Sequence, residues 1–294
     1  MADTQLFRFD EYLQQDLEQT AGLRYPVKAG WLEQLLTRKV SPWKLHANAT
    51  DLFCSPSVGP NHGIIQKYIQ GITHNMKFGV PIFAEPLIIE KMRPNGYLLL
   101  NGHHRWAAAL RLNVKKVPVQ LVNMTHVPDI AKVLEKSTAD RRASINLDDV
   151  VFCTGDAEPA EKMLPFPARR FFKERIRLGI PALFHALHEQ GYDVWVYTAG
   201  YASTDYISRL LKRYHIHADG IVNGANRLKD EKDAAAPKVR EMMEKKYRVT
   251  LHIDTDSVVR IHTDQRDFEQ EMIEAGGDKW SARVISIVRG FKEK

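Results

Sequence analysis

Hydrophobic positions recur at helical spacing in Asp10-Glu11-Tyr12-Leu13-Gln14-Gln15-Asp16-Leu17 and again over 29–38, where Trp31, Leu32, Leu35 and Leu36 repeat the pattern. Residues 1–50 therefore read as helices, with a break at Tyr25-Pro26. The Ser, Pro and Gly of 55–63 predict a loop, followed by a helix over 64–73. Two apolar runs, 86–90 and 96–100, flank Arg93-Pro94-Asn95-Gly96 and predict a β-hairpin. The second strand runs straight into Asn101-Gly102-His103-His104-Arg105-Trp106 and an alanine-rich helix to about residue 112. A further strand is expected over 116–122.

From 127 to 142 the pattern is helical and increasingly charged, ending in Asp140-Arg141-Arg142, and a domain boundary is expected there. Beyond it strands are expected over 143–151, 193–198, 220–222, 249–254 and 282–288. Helices are expected over 180–190, 204–214, 235–246 and 266–275, and Pro159, Pro165 and Pro167 mark a flap after the first strand. Strands alternating with helices of this length predict a parallel sheet covered on both faces. The expectation is an α/β protein of two domains: a mixed α+β domain over 1–142 and a parallel α/β domain over 143–294.

A length of 294 residues suits two cores better than one. No apolar run approaches the roughly 20 residues that span a bilayer. The first dozen residues carry Asp3, Asp10 and Glu11 and no basic stretch ahead of an apolar one, so a cytoplasmic protein without a membrane partner is expected. Cys54 and Cys153 lack metal-ligand or redox spacing. The net charge of +6 divides unevenly: 18 Lys and Arg face 12 Asp and Glu in residues 1–143, against 24 and 24 in the remainder. An excess confined to the first half suits an anionic ligand there, although a mildly basic solvated surface accounts for it equally well.

Open α/β sheets place their ligand crevice at the carboxyl ends of the strands. Here those ends carry Asn146 and Asp148, Thr198, and Asp254 with Asp256, with Lys229 and Lys238 lying between the last two in sequence. Carboxylates, a hydroxyl and a lysine on one edge form a set that holds a divalent ion and a phosphate. Taken singly, each Asp or Thr at a strand end is more often a cap or turn residue, and only the ordered set outweighs that. The ordered set resembles the haloacid dehalogenase (HAD) superfamily, over about residues 144–290. Ile145-Asn146-Leu147-Asp148-Asp149-Val150 lies over that family's first motif, Asp-x-Asp-x-Thr. The resemblance implies a Rossmann-like fold without a large cap. It puts Asn146 at the nucleophile position, Asp148 at the acid/base position and Val150 at the threonine position. It makes Thr198 the phosphate-binding hydroxyl, Lys229 or Lys238 the motif lysine, and Asp148, Asp254 and Asp256 the Mg2+ ligands. An amide cannot form the phospho-aspartyl intermediate, so an impaired phosphatase, a pseudophosphatase, is expected.

In the first half, a glycine at a strand-to-helix junction lets backbone amides approach an anion, and the helix N-terminus adds positive partial charge. Gly102, followed by His103, His104 and Arg105, is a phosphate cradle by these rules; alternatively Asn101 caps a surface helix. Residues 86–122 also resemble the ParB/sulfiredoxin superfamily, with Gly102, Arg105 and Ala108 matching Gly-x-x-Arg-x-x-Ala. Sulfiredoxin chemistry needs a cysteine where this chain has His103. The wording Asn101-Gly102-His103-His104-Arg105 is closest to the free serine kinase branch, Asp-Gly-His-His-Arg. That resemblance implies ATP or ADP, with CTP also admissible, bound with Mg2+ around Asn101, Gly102, His103, His104 and Arg105. The branch uses an upstream glutamate as general base; Pro60-Asn61-His62-Gly63 offers none, which leaves His62 or Glu85.

The expected function is a nucleotide-dependent kinase or phosphotransferase for a small hydroxyl metabolite. Its rivals are a non-catalytic ParB-like nucleotide-binding module, regulatory or nucleic-acid-associated, and a phosphometabolite sensor. Nucleic acid is not an expected partner, because no recognition-helix signature or long basic tail is visible.

Overall fold

The computed structural model describes residues 8–23, 25–224, 235–263, 267–274 and 277–291. The chain forms two compact units, residues 1–123 and 124–294. The division falls ahead of the boundary expected after residue 142. The helix Val127–Lys136 explains the difference: its buried Ile130 and Leu134 share a small core with Trp195, Val222, Met243 and Tyr247 of the second unit.

The first unit contains helices α1 (Phe9–Thr20), α2 (Trp31–Leu36), α3 (His62–Phe78) and α4 (His103–Arg111). Its strands are β1 (Tyr25–Pro26), β2 (Lys39–Val40), β3 (Leu45–His46), β4 (Leu87–Arg93), β5 (Tyr97–Asn101) and β6 (Val117–Leu121). The sheet runs β2-β6-β4-β5-β3, with β1 pairing β4. The expected hairpin is present, β4 antiparallel to β5, while β6 lies parallel to β4 and β3 parallel to β5. α3 starts earlier and ends later than its expected span. Asn61 caps it by accepting from the Ile64 amide, and Gly79 closes it in the left-handed region.

α4 is buried on nearly every side: Trp106, Ala107, Ala108, Ala109 and Leu110 all lie in the core. Three consecutive alanines let neighbouring elements approach the helix axis closely. Trp106 fills the space they leave, meeting Phe9 edge to face at 5.6 Å between ring centroids and donating its indole N–H to the Pro42 carbonyl at 2.9 Å. Truncating it would cost about 3–5 kcal/mol. At the unit's end, the Asn123 carboxamide accepts from the Ala29 amide and donates to the Ala29 carbonyl.

The second unit adds α5 (Val127–Lys136), β7 (Arg141–Asn146), α6 (Ile180–Glu189), β8 (Tyr192–Tyr197), α7 (Thr204–Arg213), β9 (Gly220–Val222), α8 (Ala235–Lys246), β10 (Val249–Ile253), β11 (Ser257–His262), β12 (Asp267–Met272) and α9 (Trp280–Gly290). The sheet order is β12-β11-β10-β7-β8-β9. The strands from β10 to β9 are parallel, and β11 and β12 are antiparallel additions. Both units are thus α/β with sheets of mixed direction.

Three expectations change here. The strand over 143–151 stops at Asn146 and gives way to a wide helical turn, Leu147–Val151, which buries Leu147, Val150 and Val151. The charged segment expected as a helix over 266–275 is β12. Tertiary pairing overrides its helix propensity: β12 matches β11 over six positions, and Glu269 lies opposite buried Arg260 at 2.8 Å. The β-branched run expected as a strand over 282–288 is α9, because Trp280, Val284, Ile287 and Val288 bury one stripe at helical intervals.

Candidate functional site

In the first unit, β5 ends at Asn101 and the chain turns through Gly102 into α4. Gly102 has φ +99°, and a Cβ there would stand 2.5 Å from Leu87 Cδ2 and 3.0 Å from Arg105 Nη2. Both facts demand glycine: the conformation is one that side chains rarely adopt, and the space is taken. Arg105 Nη1 donates to the Glu85 carbonyl at 2.5 Å, and its guanidinium carbon lies 5.8 Å from the Phe83 ring centroid. The guanidinium is therefore held beside the turn, with Nε and Nη2 next to Gly102.

The two histidines part company. His103 is buried, stacked on Phe53 at 5.3 Å, with Nδ1 3.5 Å from the Asp51 carboxylate. His104 Nε2 accepts from the Asn61 amide at 3.3 Å and meets Phe53 edge on. Burial lowers the His104 pKa against the opposing pull of Asp51, so its imidazole is neutral at neutral pH. The loop ahead of α3 is thus pinned to the first turn of α4.

Of the two candidate bases, His62 is engaged through both ring nitrogens. Nδ1 accepts from Arg111 at 3.1 Å and Nε2 lies 3.5 Å from Asp10. Glu85 is exposed, and its own carbonyl fixes it beside Arg105. Asp51 is a residue that spacing did not reveal. It caps the short turn at Leu52–Cys54 and brings a carboxylate up to His103 from 52 positions away in sequence. Its only local signal was that cap.

In the second unit, Asn146 pairs with Tyr197 across β7 and β8, and Ile145 pairs with Ile253 across β7 and β10. Asn146, Thr198 and Asp254 therefore stand on three adjacent parallel strand ends. The order β9-β8-β7-β10 reverses direction between β7 and β10, which is the switch point where open α/β sheets bind ligands. Buried Thr198 donates its hydroxyl to the Asp148 carboxylate at 2.7 Å, and the Ala199 amide donates to the same carboxylate at 2.9 Å. The Asn146 Oδ1 accepts from the Asp148 amide at 2.8 Å, and Nδ2 donates to Asp149 at 2.6 Å, so the amide caps the turn of 147–151. Val150 is buried.

Asp254 accepts from the Thr255 amide at 2.7 Å, and Asp256 from the Ser257 hydroxyl at 3.1 Å. Both are exposed. Lys238 is exposed on α8, and among the described residues nothing joins it to Asp148 or Asp254. Lys229 lies outside the described residues.

Residues 71–138 match the family model of the ParB N-terminal domain, from the second half of α3 through the hairpin, the Gly102 turn, α4 and β6 to the end of α5. No curated protein matches the chain. Among the described residues, no helix is long and apolar enough to cross a membrane.

Proposed function

We propose that the first unit binds a nucleotide by its phosphates on the Gly102–Arg105 turn and transfers a phosphoryl group to a small hydroxyl metabolite, as the resemblance to free serine kinases implies. The observation that carries this reading is Gly102. Its left-handed conformation, in space that admits no Cβ, brings backbone amides and the tethered Arg105 guanidinium to one point at a helix N-terminus. A nucleotide fits that cradle. Arg105 grips phosphate oxygens with Nε and Nη2, while Nη1 stays on the Glu85 carbonyl.

Magnesium fits only as an ion brought in with the nucleotide, since Asn101 is neutral; bound there, it would neutralise charge on the phosphates. Glu85 takes the role of base, because His62 is already held between Arg111 and Asp10. The test is a screen of ATP, ADP and CTP against amino acids and sugars, read by phosphorus NMR, with calorimetric titration of each nucleotide. Turnover only with a particular acceptor supports the transferase. Arg105→Ala should weaken nucleotide binding about ten- to a hundredfold, the equivalent of about 1.5–3 kcal/mol. Nucleotide binding without turnover would favour a ParB-like regulatory module, the reading that neutral Asn101 supports. Absence of binding to any of the three would overturn both.

For the second unit we infer a HAD-like scaffold with a silent nucleophile position. Asp148 is engaged by Thr198 and Ala199, and Asn146 by its neighbours, so a Mg2+ site there has Asp254 and Asp256 as its exposed carboxylates.

A further inference from the structure

The amino edge of the second sheet, opposite the strand ends described above, carries three groups that neither reading uses. His188 is near the end of α6; His217 and Asp219 immediately precede β9. His188 Nε2 lies 2.8 Å from Asp219 Oδ2, and His217 Nε2 lies 3.2 Å from Asp219 Oδ1. One ligand atom from each residue falls within 4.8 Å of the other two. The two imidazole rings are 5.4 Å apart between centroids.

We propose that His188, His217 and Asp219 form a binding site for a borderline-soft divalent metal ion of the zinc class.

The ligand chemistry selects the ion. Two imidazoles and one carboxylate suit zinc, cobalt, nickel or copper, whereas magnesium and calcium require oxygen donors. The spacing suits it too: metal–ligand bonds of about 2.0–2.1 Å in a tetrahedron put ligand atoms about 3.3 Å apart, close to the separations from Asp219.

The supports behind the ligands are those a metal site needs. Phe184, one turn earlier on α6, offers His188 a backbone hydrogen bond that steadies the ring, while Nε2 faces Asp219. Asp219 is clamped by β8: its Oδ2 accepts from the Val194 amide at 2.7 Å, and its own amide donates to the Val194 carbonyl at 2.8 Å. A simple ion pair would need one histidine; here a second one addresses the other carboxylate oxygen. His217 is largely exposed, so it can swing inward, and water completes the coordination. An ion held there would join the end of α6 to the start of β9.

The test is calorimetric titration of zinc into untagged, chelator-treated full-length protein, with cobalt absorption spectra as a second probe. The expected result is one zinc per chain, a zinc-dependent rise in melting temperature reversed by chelator, and a loss of affinity of at least about tenfold in His217→Ala. His188→Gln should do the same. Because His217 is exposed, its variant keeps the fold, verified by circular dichroism, even if His188→Gln does not. His74→Ala, which removes an exposed histidine of α3 in the first unit, should bind zinc as the wild type does. Absence of zinc binding, binding unaffected by His217→Ala, or binding lost only in His74→Ala would each overturn the proposal.

Discussion

The Gly102 turn and the carboxyl edge of the second sheet both sit where a strand hands over to helical structure, yet they spend their hydrogen bonds differently. At Gly102 the decisive element is backbone: a left-handed glycine at the opening of α4, with one guanidinium tethered alongside. At the other edge the side chains satisfy one another, Asn146 with Asp148 and Asp149, and Asp148 with Thr198 and Ala199. A site that faces outward and one whose polar groups are closed on themselves respond differently to substitution. The first should lose ligand when altered, and the second should lose stability.

Gly102→Val should have the largest effect, since it hits both properties. A β-branched residue at φ +99° is strained, and its Cβ would collide with Leu87. We expect a loss of about 3 kcal/mol in denaturant unfolding of the first unit and no measurable nucleotide binding. A variant that keeps wild-type stability would show that the turn relaxes easily, and the backbone would not be the defining element.

Thr198→Val comes next. It preserves shape but removes a buried hydroxyl that donates to a carboxylate, so the second unit should lose about 2 kcal/mol. Titration of the same variant with ATP should leave affinity unchanged. A fall in nucleotide affinity would mean that the second edge also serves the ligand, and the contrast between the two regions would dissolve.

Asn146→Asp is smaller still. It replaces the Nδ2–H donor with an anion facing Asp149 across a 2.6 Å contact, which should cost about 1 kcal/mol. The wild type should hydrolyse no aryl phosphate with magnesium, because its amide cannot form the covalent intermediate. Robust hydrolysis by the wild type, abolished in Asp148→Ala, would overturn the assignment of Asn146 to a silent nucleophile position.

Much of this arrangement was legible in the sequence where local chemistry and tertiary need agree. The Arg93-Pro94-Asn95-Gly96 turn announced the β4-β5 hairpin, and Gly102 between an apolar strand and Trp106-Ala107-Ala108-Ala109 announced the turn into α4. The alternation of strands and helices announced the parallel centre of the second sheet. What failed was set by partners distant in sequence. Asp267–Met272 is a strand only because β11 offers its edge and Arg260 a counter-charge. The run Val284-Ile285-Ser286-Ile287-Val288 is helical because its buried stripe includes Trp280, just before it. His103 carries the polarity of a ligand, but α4 turns it toward Phe53 and Asp51. The metal-like triad was hidden for the same reason: His188 stands 31 positions from Asp219, and only the start of β9 brings them together.

The two cysteines supply the mildest probe, one that leaves fold and binding intact. Cys54 follows Phe53, the residue that stacks on His103; burial, reinforced by the negative charge of Asp51 and Asp16, pushes its thiol up to about 12. Cys153 is also raised by burial, but Arg175 and Arg177 pull in the opposite direction. The thiolate is the reactive form, so in the folded protein Cys54 should alkylate on the order of a thousandfold more slowly than an ordinary thiol at pH 8, and more slowly than Cys153. The sign follows for stability as well. A thiol whose folded pKa lies above its unfolded value favours the folded state below the unfolded pKa. That contribution is lost as pH rises from about 9, the ordinary value, toward about 12. Iodoacetamide labelling at pH 8, 9 and 10, read peptide by peptide in the mass spectrometer with and without denaturant, checks the rates, and denaturant unfolding followed as pH rises above about 9 checks the stability. If Cys54 reacts as fast as Cys153 before unfolding, the region around the Gly102 turn is wetter than its packing against Phe53 implies, and the contrast with the second unit loses one of its supports.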